Sequence, residues 1–147
     1  TQPYDVEFAS GEYQSWLADL KVRAMLQTHN QAQAMMRSVL AMFRRHMPTA
    51  DVLDFADALP ALPRGIFIGG WRPGTPEPVP GPMFTAEVVA DLTPHHVPPE
   101  TIVADVLAVI AAHSAPHDLE VLRATTQAPL RALWPAEGIT DGLAVVR

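Results

Sequence analysis

Residues 33–67 read QAMMRSVLAMFRRHMPTADVLDFADALPALPRGIF, and residues 100–134 read ETIVADVLAVIAAHSAPHDLEVLRATTQAPLRALW. Laid one on the other without a gap, they share seven identities: Val39/Val106, Leu40/Leu107, Ala41/Ala108, His46/His113, Asp51/Asp118, Ala61/Ala128 and Arg64/Arg131. Composition alone gives about two or three over that length. Further pairs keep apolar character, among them Met42/Val109, Phe43/Ile110, Val52/Leu119, Phe55/Leu122 and Phe67/Trp134, so a core-facing pattern repeats. The sequence therefore predicts an all-α chain: a helical bundle from two tandem three-helix repeats, packed with pseudo-two-fold symmetry and joined by a proline-rich linker. Units of about 50 to 60 residues are marginal alone, so the copies are expected to share one core.

Outward from this stretch the apolar spacing predicts the other elements. Trp16, Leu17, Leu20, Met25 and Leu26 form a helical stripe within Gln14 to Gln27. Thr28 or Asn30 caps the next helix, whose Met35, Met36, Val39, Leu40, Met42, Phe43 and Met47 recur at three- and four-residue steps up to Pro48. Thr49 is expected to cap a third helix ended by Leu59-Pro60, with one short turn from Arg64 to Phe67 before Gly69-Gly70-Trp71. Residues 72–83 alternate proline with other residues and so exclude helix and central strand, because proline removes the N–H donor and fixes φ. Helices return from Phe84 to Leu92, after Pro98-Pro99-Glu100, and after Pro116, with a final turn beyond Pro129. The reading is a single domain over 1–147: repeat 1 at about 13–71, linker 72–83, repeat 2 at about 84–135 and a short tail, 136–147.

Composition narrows the function classes. The 147 residues hold no cysteine, which removes disulfides, thiolate metal sites and a cysteine nucleophile. Net charge is −6; residues 1–83 carry 7 basic and 8 acidic side chains, whereas residues 84–147 carry 3 and 8. Such a balance disfavours nucleic acid. Arg37, Arg44, Arg45 and His46 make the one basic cluster, expected as a solvated face. No run of 18 apolar residues occurs and the polar start resembles no signal peptide, so neither membrane insertion nor export is expected and the location read is cytoplasmic. High Ala, Arg and Pro use with one lysine, Lys21, points to a GC-rich bacterial genome.

The order of features is similar to a known family. An apolar first helix, a long helix centred on Val39-Leu40, the stretch Asp51 to Leu59-Pro60, then Gly70-Trp71 with Pro73, a proline-rich linker and a second copy ending at Leu133-Trp134 together resemble the bacterial domain-of-unknown-function family 2267. Leu59-Pro60 to Gly70-Trp71 is the most specific part. Where that family tends to repeat the leucine-proline step, this chain has Thr126-Gln127. The resemblance implies a duplicated all-α fold and no activity.

Few residues carry chemistry. His46 and His113, at equivalent positions, would form a paired imidazole site for a metal or a proton if the two-fold brought them together; the structural alternative is a dipole partner at each helix end. Asp51 and Asp118 would then serve as carboxylate partners, or stand in helix first turns for structural reasons. Arg64 and Arg131 are expected to lock the repeats together by pairing with carboxylates. His95-His96 falls in a predicted loop and is not expected to bind metal. Gly70, Trp71, Arg72 and Pro73 are candidates for partner recognition. No G-x-S-x-G, H-E-x-x-H or nucleotide fingerprint occurs. The expectation is a non-enzymatic protein-binding or assembly module, without cofactor, whose partner is another protein, a larger assembly or a second copy. It would present the linker or the acidic second half. The alternative is a small-ligand or metal-binding protein, or an enzyme, with its site between the repeats near His46 and His113.

Overall fold

The computed structural model describes residues 4–78, 84–92 and 97–136. They form eight helices and, among the described residues, no strand: α1 (Tyr4–Arg23), α2 (His29–Arg45), α3 (Thr49–Asp57), α4 (Ala61–Ile68), α5 (Phe84–Leu92), α6 (Ile102–His113), α7 (Pro116–Thr125) and α8 (Ala128–Arg131). The all-α bundle read from the sequence is the observed class. Each half contributes four helices rather than three, because the expected short turns after Pro60 and beyond Pro129 are the helices α4 and α8. Both carry proline in the first turn, Pro63 and Pro129, where its missing N–H has no intrahelical acceptor to leave unpaired. α1 begins at Tyr4, ten residues ahead of the apolar stripe at Gln14, and residues 5–8 and 10–11 are exposed. His95 and His96, residues 79–83 of the linker and residues 137–147 lie outside the described residues.

Local chemistry explains the boundaries. Thr28 caps α2: its hydroxyl accepts from Gln31 N–H at 3.1 Å, while the Gln31 side chain accepts from the Thr28 N–H at 3.2 Å. At α3 the N-cap is Pro48 and Thr49 is already the first helical residue, so the expected threonine cap is absent. α1 closes with Leu26 N–H on Lys21 O at 2.8 Å and Met25 N–H on Val22 O at 3.2 Å. That pattern puts Met25 in the left-handed region, at φ 55°, where glycine is the usual residue.

α2 is the hub. Its buried residues are Ala32, Met35, Met36, Ser38, Val39, Leu40, Met42 and Phe43, and α1, α4, α5 and α6 pack around it. An aromatic column runs out from it, Phe43 to Phe55 at 6.2 Å and Phe55 to Phe67 at 4.7 Å, which ties α3 and α4 to α2. Each fully buried phenylalanine contributes about 1.5–3 kcal/mol by leaving water. In the second half Val106, Leu107, Val109, Ile110, Leu122, Leu130 and Trp134 occupy the core. α6 lies against α1 and α2, and α7 against α3. Met35, Met36, Met42 and Met47 are core residues, whereas Met25 is 89% exposed.

Two outcomes are expected. Met25→Gly removes the left-handed penalty and, against the extra freedom glycine has when unfolded, raises stability by about 0.5–1 kcal/mol, read from the urea midpoint. Tyr13, 7% exposed and donating to the Gln33 side chain, has its phenol pushed up to about 12 by burial, against the opposing charge of Arg37. The folded state thus holds this proton more tightly than the unfolded chain, so its contribution is complete below about pH 10 and is lost as pH rises towards 12. Tyr13→Phe should delete the high-pH component of the tyrosinate absorbance titration.

Candidate functional site

The apolar stripe of α2 ends at Phe43, and the three residues after it turn their polar groups on neighbouring elements. Arg44 donates to the carbonyls of Phe67 at 2.9 Å and Gly69 at 2.8 Å, closing the end of α4. Burial, and then the charge of Arg45, lower its pKa below the usual guanidinium value. Arg45 holds Glu87 of α5 through Nη2 at 2.6 Å and Nε at 2.9 Å. His46 is 4% exposed; its Nδ1 lies 3.0 Å from the Glu77 carbonyl and its Nε2 3.1 Å from Glu87 Oε1. The basic cluster is therefore no solvated face: only Arg37 of its members is exposed.

His113 stands at the end of α6, partly exposed. Its Nε2 lies 2.9 Å from Asp19 Oδ2, and Arg23 Nε donates to the other carboxylate oxygen at 2.7 Å. The ring packs on Trp16 at 6.1 Å. Each histidine thus ends a central helix and meets a carboxylate from the first helix of the opposite half, His46 with Glu87 of α5 and His113 with Asp19 of α1. The two imidazoles do not meet each other, so the structure does not assemble the paired site. Among the described residues no group of three His, Asp or Glu side chains is placed to hold a metal ion.

Asp51 and Asp118 sit in the first turns of α3 and α7, far from being partners of those histidines. Asp51 accepts a long 3.5 Å bond from Gln127 and so reaches across to the second half. Arg64 and Arg131 do not cross between halves, contrary to the sequence expectation. Arg64 Nε donates to the carbonyls of Ala56 at 2.9 Å and Leu59 at 3.2 Å, and its Nη2 to Asp57 at 3.2 Å and Leu59 at 2.8 Å. Arg131 makes the matching contacts to Thr126 O at 3.3 and 3.0 Å. The reason is reach: a proline directly after or shortly after the helix leaves open carbonyls five to eight residues back, within range of the guanidinium fork.

After α4, Gly70 takes φ 78°, which a side chain would strain, and Trp71 N–H bonds Ile68 O at 3.1 Å, turning the indole onto the core. Arg72, Pro73, Gly74 and Thr75 are exposed. Glu77 then returns to the bundle with its N–H on Arg45 O at 2.9 Å and its carbonyl on His46. Residues 71–78 form a strap without helix or strand, laid over the end of α2.

This geometry, an α2 hub whose flanking segments run from a first core residue, Tyr13, to Leu133, is the extent over which the chain matches the family model described as Uncharacterized conserved protein (DUF2267), residues 13–133. The chain belongs to that family. No curated protein matches it. Family membership carries the helical core from Tyr13 onward and leaves the exposed first turns of α1 outside the match.

Two open clefts flank the core of this family member. One, of about 420 Å³, is lined by Glu7, Phe8, Gly11, Glu12, Ser15 and His113. The other, of about 710 Å³, lies at Arg123, Arg131, Trp134 and Pro135. Trp16 Nε1 and Ser114 Oγ, in residues beside His113, are buried without a hydrogen-bond partner. Among the described residues no helix is long and apolar enough to cross a membrane.

Sequence reasoning missed Asp19, Glu77 and Glu87, the groups that engage the two histidines. The available signal was an acid on each half's first helix, at 19 and 87, close to the 67-residue offset. Thr126 was noticed only as a departure from the family's leucine-proline step. It is 1% exposed, donates to Leu122 O at 2.8 Å and accepts the Trp134 indole N–H at 3.0 Å. Arg64→Ala should cost about 1–2 kcal/mol in chemical denaturation, and Arg64→Lys should recover less than half, because a point charge does not span three carbonyls.

Proposed function

We propose that the chain is a non-enzymatic protein-binding or assembly module of a bacterial cytoplasmic protein, and that the strap is its recognition element. One observation carries this reading: residues 72–75 stand exposed while Trp71 on one side and Glu77 on the other are tied to the bundle. The exposed part begins Arg72-Pro73-Gly74-Thr75-Pro76, a proline at every third position behind an arginine. Extended proline-rich segments of this kind are recognised in aromatic-lined grooves, because they lose little backbone entropy on binding. The strap is favoured over an acidic face of the second half. There Glu87 pairs with Arg45 and His46, Asp91 accepts from Ser38 at 2.7 Å, and Asp105 takes the Thr101 hydroxyl at 2.8 Å. These acids serve the bundle itself. The partner is accordingly another protein with a groove for proline.

The test is a photo-crosslinking residue at Thr75 in the producing cell. A discrete crosslinked polypeptide is expected, and its yield should fall about tenfold when Arg72, Pro73 and Pro76 become alanine. An unchanged crosslinking pattern in that triple variant removes the strap from the interface.

A second reading, a small-ligand site between the halves, is favoured by the 420 Å³ cleft at His113 and by the unpartnered Trp16 indole N–H nearby. His46 takes no part in it, since Glu77 and Glu87 occupy both its nitrogens. Native mass spectrometry separates the readings: an extra small mass that His113→Gln abolishes supports the cleft, and a bare chain counts against it.

A further inference from the structure

We propose that His46 is a proton-controlled clasp that decides whether the strap is held against α2 or released, a regulation that rests on the strap being the recognition element. Among the described residues, hydrogen bonds fasten residues 72–78 at Glu77 alone, through its N–H to Arg45 O and its carbonyl to His46 Nδ1. The hydrogen-bonded tether passes through one residue, and one of its two bonds is made by the imidazole.

The chemistry of that imidazole is dictated by what faces it. A main-chain carbonyl only accepts, so Nδ1 must donate to Glu77 O. A carboxylate also only accepts, and Glu87 is paired with the Arg45 fork at 2.6 and 2.9 Å, so Nε2 must donate as well. A neutral imidazole has one N–H for these two acceptors. The clasp is complete with the imidazolium; when the proton leaves, one contact becomes a lone pair set against an oxygen. His46 is buried, so water does not fill that gap. The groups on the ring come from the strap and from α5, with Arg45 of α2 as the neighbouring charge. α1, α4 and α6, which also pack on α2, place no hydrogen-bonding or ion-pairing group on it, and Arg44 beside it is directed to the carbonyls of Phe67 and Gly69.

The sign follows. With the proton bound, both Glu77 and Glu87 are satisfied and the strap is down. Without that proton the ring keeps one partner. The charge-assisted bond to the strap weakens to a neutral one at best, and release follows.

Hydrogen–deuterium exchange of the strap peptide, corrected for the intrinsic pH dependence of exchange, tests this on the isolated full chain without any partner. Protection at Glu77 is expected to fall about tenfold between about pH 5.5 and about pH 8. Glu87→Gln should abolish that dependence, because the glutamine amide donates to Nε2 of a neutral ring and leaves Nδ1–H for Glu77. His46→Asn, which keeps a donor and does not titrate, should be equally flat, and it serves should Glu87→Gln not fold. Wild-type protection that stays constant over this range overturns the clasp, and so does a pH dependence in either folded variant equal to that of the wild type. Because no partner is present, either result is independent of the crosslinking that tests the strap itself.

Discussion

Short helices interrupted by proline leave carbonyls open at their C-terminal ends, and in this bundle arginine closes them. The chain has 15 prolines and 8 glycines, and glycine is not the residue that ends α3, α7 or α8. Arg64 covers the end of α3, Arg44 the end of α4 and Arg131 the end of α7, while Arg123 donates to Pro135 O beyond α8. One guanidinium presents five N–H groups in a plane, so it bonds several carbonyls that diverge at a frayed turn, and lysine does not. The use of one lysine against nine arginines thus has a structural reading beside the genomic one.

The second constraint is how the halves hold one another. α1 packs on α6 and α5 on α2, so the first helix of each half lies against the central helix of the other. Each contact ends in a histidine–carboxylate pair, buried at His46 and partly exposed at His113. α3 and α7 begin at Thr49 and Pro116, and α4 and α8 at Ala61 and Ala128, in both cases 67 residues apart, the offset at which the sequence matches itself. With cores this interleaved, neither half has an apolar face it can bury alone, and the two are expected to unfold together.

Much of the bundle was legible because the apolar spacing is dense. Met35 to Phe43, Ile102 to Ile110 and the run of α5 from Phe84 to Leu92 fall where the periodicity puts them. The exposed beginning of α1 was not, since it has no stripe to read; nor was α4, whose prolines suggested a turn although the first turn of a helix tolerates them. The site was less legible still. Repetition singled out His46, His113, Arg64 and Arg131, but it carried no information on what faces them. The partners Glu77, Glu87 and Asp19 lie 31, 41 and 94 residues away along the chain. A main-chain carbonyl, such as that of Leu59 or Thr126, leaves no trace in a side-chain pattern at all.

A segment meant for recognition has two conflicting requirements. Free in solution it loses backbone entropy of about 1–2 kcal/mol for each residue that the partner orders. Packed into the core it shows the partner nothing. The strap lies between these limits: proline limits its backbone freedom, Trp71 and Glu77 fix its ends, and four of the five residues between stay in water. Such an arrangement is governed by the weaker of its two anchors. Trp71 is fastened by apolar packing, which a proton does not alter. Glu77 is fastened by hydrogen bonds to the end of α2, one of them from the only buried imidazole among the described residues. A change in the charge of that ring therefore alters the strap at one end while the core beneath Phe43, Phe55 and Phe67 stays in place, which confines the response to the segment proposed for recognition.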